Sequence, residues 1–333
     1  DDEDATVEAP VPKDTVEKAA LLLQKGDAAG ADRLVTDALA EHPDDHELWF
    51  SKGVAQQALG NDEGATASFE KALALKPEFV PAMHALATYA MAKRDFAKAI
   101  ELLTAVLELQ PDFADAHYNL GVALLEIGKR PEALAAIEHA AELAPDDAEI
   151  NVQLADMYIG LDRFDDAVVH AKRAVDKAPG DPLARIVYGN ALVKKGEFVA
   201  AIAEFEAAIA TRPGDLDARL GLARAQQRAG KLDDAAAGLK ALSEDPDASK
   251  SAVVWADWGS VLAKQGDLKG ALEKLDKAIA LDPKFGAAHV RRIGALAGAK
   301  RCKDAKAAHA KLAKLDVDER TKAAAADALA PCK

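Results

Sequence analysis

Residues 49–77 read WFSKGVAQQALGNDEGATASFEKALALKP. Two alanine-rich segments flank a break at Gly60 and Asn61, and Pro77 closes the second segment. Each mark has a mechanical meaning. Gly60 ends a first helix by taking the left-handed conformation without a Cβ clash. Ala65 gives the second helix a side chain small enough for close approach to the first. Pro77 stops that second helix, because proline has no N–H and its ring collides with the preceding turn. The stretch specifies helix, tight turn, helix, stop.

The same punctuation runs along the chain. Pro43, Pro77, Pro111, Pro145, Pro179 and Pro213 are spaced by 34 residues, and Pro283 follows 70 residues later, two periods plus two. Twelve residues ahead of that lattice stand Ala31, Ala65, Ala99, Ala133, Ala167, Ala201, Ala235, Ala271 and Ala305. Gly26, Gly60, Gly128, Gly196, Gly230 and Gly266 mark most of the turns. A chain of 333 residues would ordinarily divide into two or three globular domains. A repeat grows by stacking instead, without closing a single core. Apolar residues are 50% of the chain but aromatics only 5%. An alanine-led core favours closely packed helices over strands.

This order of marks resembles the tetratricopeptide repeat, whose period is 34 residues and whose pattern runs Trp, Leu-Gly, Tyr, Ala, Phe, Ala, Pro. The second unit supplies Trp49, Gly53, Ala65, Phe69, Ala72 and Pro77. The fourth supplies Leu120, Gly121, Ala133, Ile137, Ala140 and Pro145, with Tyr118 and Asn119 just ahead. The eighth supplies Trp255, Gly259, Ala271, Ala278 and Pro283. The resemblance takes in nearly the whole chain. It implies an all-α, right-handed superhelical solenoid of about nine helix-turn-helix units with a C-terminal capping helix.

The expected organisation is an acidic, disordered leader over residues 1–13, an array over 14–317, and a capping helix and tail over 318–333. The first unit has Thr15 and Lys18 where large apolar residues are usual, as suits a terminal repeat with one solvated side. Two residues are inserted within Ser243–Ser251, which predicts a bulge or a break in the stacking register. The ninth unit carries Arg292 and Ile293 in place of Leu-Gly, and Asp318 is placed to cap the final helix.

The two cysteines, Cys302 and Cys332, open the second helix of the ninth unit and follow the capping helix. If those two helices pack antiparallel, about fourteen residues up and about fourteen back bring the thiols together. A bond closing that loop would stabilise by roughly 3–4 kcal/mol. Disulfides persist in oxidising compartments, so the pair favours an exported protein of the bacterial periplasm or one tethered at the outer membrane, with a cytoplasmic protein carrying free thiols as the alternative.

Chemistry is sparse. The sequence has no glycine-rich dinucleotide motif, phosphate loop, nucleophile elbow or His-Glu-x-x-His zinc motif. The histidines are scattered, and His42 and His46 straddle Pro43. No catalytic residues, metal or cofactor are expected. The net charge of −14 disfavours nucleic acid, and no apolar run reaches the about 18 residues of a membrane span.

Function is therefore expected on the concave side, which the resemblance assigns to the first helices. Their fifth, ninth and twelfth positions share one stripe. It reads His84-Thr88-Met91, Tyr118-Val122-Leu125, Val152-Asp156-Ile159, Ile186-Asn190-Val193 and Leu220-Arg224-Gln227. The expected groove for a protein or peptide segment has Tyr118, Leu125, Val152, Ile159, Ile186 and Val193 as apolar anchors. Asn119, Gln153, Asp156 and Asn190 would bond the partner's polar groups. Two uses of the fold lack their residues here. The carboxylate clamp of chaperone-binding members is absent, as is the asparagine ladder of sugar-transferring members, whose position reads Ser51, Ala85, Asn119, Gln153, Val187 and Gly221. The basic C-terminal cluster, including Arg291, Arg292, Lys300, Arg301 and Lys303, is a candidate dock for an acidic partner. The resulting reading is a non-enzymatic interaction scaffold in assembly of a bacterial envelope complex. An accessory region that positions an enzyme, or the repeat part of a longer transferase or peptidase, is one alternative. A self-assembling structural protein is the other.

Overall fold

The structure, a computed structural model, describes residues 12–332, and among them are nineteen α-helices, two short 3-10 turns and no strand. Helix contacts divide the chain into two compact units, Asp1–Ile150 and Asn151–Lys333. The first holds α1 (Pro12–Gln24), α2 (Ala28–Glu41), α3 (His46–Ala58), α4 (Asp62–Leu75), α5 (Val80–Ala92), α6 (Phe96–Leu109), α7 (Ala114–Glu126) and α8 (Arg130–Leu143). The division falls inside α9 (Ala148–Gly160). The second unit continues with α10 (Phe164–Lys177), α11 (Pro182–Lys195), α12 (Phe198–Thr211), α13 (Leu216–Arg228) and α14 (Leu232–Glu244). It ends with α15 (Ala252–Gln265), α16 (Leu268–Leu281), α17 (Gly286–Gly298), α18 (Cys302–Leu312) and α19 (Glu319–Ala328). Odd-numbered helices up to α17 are the first helices of successive repeats.

The sequence marks have the predicted mechanics. All nine lattice alanines, from Ala31 to Ala305, are fully buried. The six lattice glycines have φ between +73° and +91°. Where the lattice lacks glycine, Arg94, Asp162 and Lys300 take φ of +57° to +59°. The turn geometry is thus imposed by the stacked helices even on residues for which it is strained. Four second helices begin with carboxylate or amide caps; among them, Asp27 accepts from Gly30 N at 2.8 Å, Asn61 from Gly64 N at 3.1 Å, and Asp267 from Gly270 N at 2.8 Å.

A further tie was hidden in the sequence by its chemical variety. The fourth residue of several first helices reaches back to the carbonyl at the preceding stop. Trp49 Nε1 donates to Pro43 O at 2.7 Å and Arg185 Nε to Pro179 O at 3.0 Å. His117 Nε2 lies 2.7 Å from Pro111 O, and His289 Nε2 lies 2.9 Å from Pro283 O. Indole, imidazole and guanidinium share only an N–H at the right reach.

Three local expectations change. Pro12 and Lys13 open α1 rather than ending the leader, whose residues 1–11 lie outside the described residues. Thr15 is fully buried, not solvated, while Lys18 is exposed. The inserted residues neither bulge out nor break the stack. They wind into a 3-10 turn, Ala248–Lys250, whose backbone Asp245 caps by accepting from Asp247 N at 3.0 Å and Ala248 N at 3.1 Å. Those N–H groups, with Arg219 at 3.2 Å, hold the Asp245 carboxyl below its ordinary value. Trp255 Nε1 still finds its upstream carbonyl, now Ser249 O at 2.7 Å.

The C-terminal helix, capped by Asp318 through Thr321 N at 2.8 Å, packs chiefly on α17 rather than on α18. The reason is room: α17 presents Gly286 beneath Thr321, where a Cβ would lie 2.7 Å from the threonine methyl. Ala325 joins Ile293 and Leu312 in the core there.

Candidate functional site

In the first unit the stripe is legible from α3 onward. Phe50, Val54 and Gln57 of α3 occupy the fifth, ninth and twelfth positions, followed by His84, Thr88 and Met91 of α5 and Tyr118, Val122 and Leu125 of α7. The α3 set with His84 and Thr88 of α5 lines a concavity of about 440 Å³, walled by Phe113 from the turn before α7. Phe69 of α4 is its buried floor, admitted because Gly53 has no Cβ: a methyl there would lie 2.5 Å from the Phe69 ring. Phe50 packs 5.4 Å from Phe69 and 5.5 Å from Phe79, edge-on to the latter, and the His84 ring lies 4.9 Å from that of Phe113, tilted by 45°. Aromatic walls of this kind suit an apolar side chain.

Polar groups rim the concavity. The Asn119 amide lies 3.2 Å from His84 Nε2, where a neutral ring accepts its N–H. Burial holds the His84 pKa below its ordinary value, opposed by Asp115. Tyr118 Oη donates to Glu149 at 3.0 Å; burial, then that carboxylate, push the phenol well above its usual range. Tyr118, Asn119 and Leu125 are half-buried.

The other expected groove residues belong to the second unit, so the ten divide between the units. Val152 and Ile186, expected as anchors, are 9% and 7% exposed and sit in core clusters. They pack rather than dock, because the fifth position of α9 and α11 is covered by neighbouring helices. Gln153, Ile159 and Val193 are half-buried, and Asp156 and Asn190 are exposed. The stripe then becomes charged. Asp257 of α15 is buried between two guanidiniums: Arg224 Nε of α13 donates to one oxygen at 2.7 Å and Arg291 Nη1 of α17 to the other at 2.7 Å. Gln227 Nε2 donates to Ser260 Oγ at 3.0 Å alongside. Asp257 was passed over in the sequence because a single Asp inside an alanine-rich helix carries no motif.

The Cys302 and Cys332 sulfurs lie 2.08 Å apart with Cα atoms 5.2 Å apart, and Cys332 is buried against Leu296, Ala297 and Ala305. Among the described residues, no group of three or more His, Cys, Asp or Glu is arranged to hold a metal, and no helix is long and apolar enough to cross a membrane.

Sequence profiles of the tetratricopeptide repeat match residues 16–78 and 84–148, 128–190 and 192–253, and 252–285. The chain belongs to the tetratricopeptide repeat family. No curated protein sequence matches it. Among solved structures, PilF of Pseudomonas aeruginosa superposes with a TM-score of 0.59 at 16% identity, covering 62% of this chain and 95% of that one. PilW, described as a widely conserved type IV pilus biogenesis factor, gives 0.55 at 18% identity, covering 63% and 97%. At these identities the likeness is one of fold.

Proposed function

We propose that the protein is a non-enzymatic scaffold that holds a segment of a partner protein on the first-helix stripe, with the concavity of the first unit taking an apolar anchor residue. The observation that carries this reading is the aromatic-lined space between Phe50, Val54, His84 and Phe113, which the helix stacking does not fill. Tyr118, Asn119 and Leu125 continue that surface. Gln153, Asp156, Ile159, Asn190 and Val193 offer a second contact surface on the other unit. We place the protein outside the cytoplasm of a bacterium, in the assembly of an envelope complex. Support comes from the proximity of Cys302 and Cys332, which an oxidising compartment would join, and from the fold shared with the pilus biogenesis factor PilW.

The test is affinity capture from envelope and cytosolic extracts with the intact chain, Val54→Glu and Ile159→Glu. The captured protein is identified and its binding remeasured with purified components. The expected result is an envelope protein retained by the intact chain and lost with Val54→Glu, at unchanged helix content. Equal retention by Val54→Glu, or capture of this chain alone, overturns the reading.

A further inference from the structure

Three consecutive first helices of the second unit end in a way those of the first unit do not. Lys194, Arg228 and Lys264 stand in the last turns of α11, α13 and α15. The last turns of α1, α3, α5, α7, α9 and α17 carry no basic residue. A cation at a helix C-terminus complements the macrodipole. That effect would favour one at every first helix, however, and here they occupy three consecutive ones. All three are exposed and, among the described residues, have no acidic partner.

This matters in a chain with 56 acidic and 42 basic residues, where a cation readily finds a carboxylate. Others in the same unit do: Lys172 pairs with Asp176, Arg185 with Glu204, Arg212 with Asp215, and Lys195 with both Asp165 and Glu197. The row is instead self-repelling. Burial and then the neighbouring Arg228 lower the Lys264 pKa. Arg224, one helical turn before Arg228, and Arg291 of α17 share the buried carboxylate of Asp257, which leaves that group with an excess positive charge.

We propose that this row is a docking surface for an acidic, extended segment of a partner protein, separate from the aromatic concavity of the first unit. Helices α11, α13 and α15 pack in succession, which sets their cations roughly 10 Å apart. An extended chain of polyproline II geometry advances about 3.1 Å per residue and returns to the same face every third residue, so carboxylates at every third position match the row. Arg224 and Arg291, held in place by Asp257, would take a further carboxylate by paired N–H bonds.

The test uses the full chain and a fluorescein-labelled decaglutamate peptide, followed by anisotropy. The peptide is expected to bind at low ionic strength and to be released by salt. Lys194→Glu/Arg228→Glu/Lys264→Glu should weaken binding by about tenfold or more, as the sum of several modest ion pairs. Lys18→Glu/Lys25→Glu/Lys71→Glu, three exposed lysines of the first unit with the same change in net charge, should leave it within about twofold. Should the first triple variant not fold by circular dichroism, the corresponding triple Gln variant replaces it and should also weaken binding. No binding of the peptide, equal losses in both triple variants, or binding to phosphatidylglycerol vesicles in place of the peptide overturns the proposal.

Discussion

The two units use one helix-turn-helix plan and expose different chemistry on the same stripe of the first helices. In the first unit the fifth position carries Phe50 and His84 around an open, aromatic-lined space. In the second, Val152, Ile186 and Leu220 at that position are buried, and the exposed part of the stripe is Asp156, Asn190, Arg224 and the three cations at the helix ends. The difference lies in what sits beneath. Phe69 of the first unit lies under Gly53, while Phe205 of the second lies under both Gly189 and Gly221, each of which has room for no more than a hydrogen. Two glycines let the first helices close over the phenylalanine; one leaves a gap that neighbouring rings line. Identical architecture therefore yields an apolar recess in one unit and a charged face in the other.

The sharpest probe of that comparison is removal of the two floors. Phe69→Ala and Phe205→Ala should each destabilise by about 3–5 kcal/mol, both rings being fully buried. In a stack whose units interact with their neighbours, each loss should appear first in its own unit. Hydrogen exchange read per helix checks this, and an equal loss of protection in both units with either variant would break the comparison. A smaller effect is expected from the carbonyl ties. Trp49→Phe and Trp255→Phe keep an aromatic ring, smaller than indole, and remove the N–H that reaches Pro43 O or Ser249 O, at a cost of at least about 0.5–1.5 kcal/mol each in denaturant unfolding. Similar values for the two would show that the 3-10 turn of the insertion restores the contact of an ordinary repeat.

The smallest effect is a pH response confined to the first unit. Burial lowers the His84 pKa below its ordinary value, so the folded chain binds fewer protons there than the unfolded one. Its contribution is fully present above the unfolded value and is lost as pH falls through the folded one. Unfolding between pH 7 and pH 5 should show this slope, and His84→Gln should flatten it. An NMR titration of His84 midway at or above its ordinary value would refute the assignment.

The punctuation was readable because its causes are local. Left-handed turns select glycine, close helix contacts select alanine, and helix stops select proline, each at a fixed position in every repeat. Even so, Arg94, Asp162 and Lys300 adopt the glycine geometry without being glycine, which shows the stack deciding where the residue does not. The candidate site was less legible. The i, i+4, i+7 stripe put these residues on one face, since helical periodicity alone fixes which residues share it. It did not separate Phe50, which lines a recess, from Val152 and Ile186, which are covered.

The sequence by itself determined the repeat, its period, the helix boundaries to within a few residues and the face on which binding is proposed. All of these follow from backbone conformation and the rise of a helix. Only the tertiary structure decided which stripe residues remain open, that the last helix rests on α17, and that Asp257 is shared by Arg224 and Arg291. Those outcomes depend on contacts between residues about one repeat or more apart in the chain, where the room left by a missing Cβ or the reach of a guanidinium settles the arrangement and no local pattern records it.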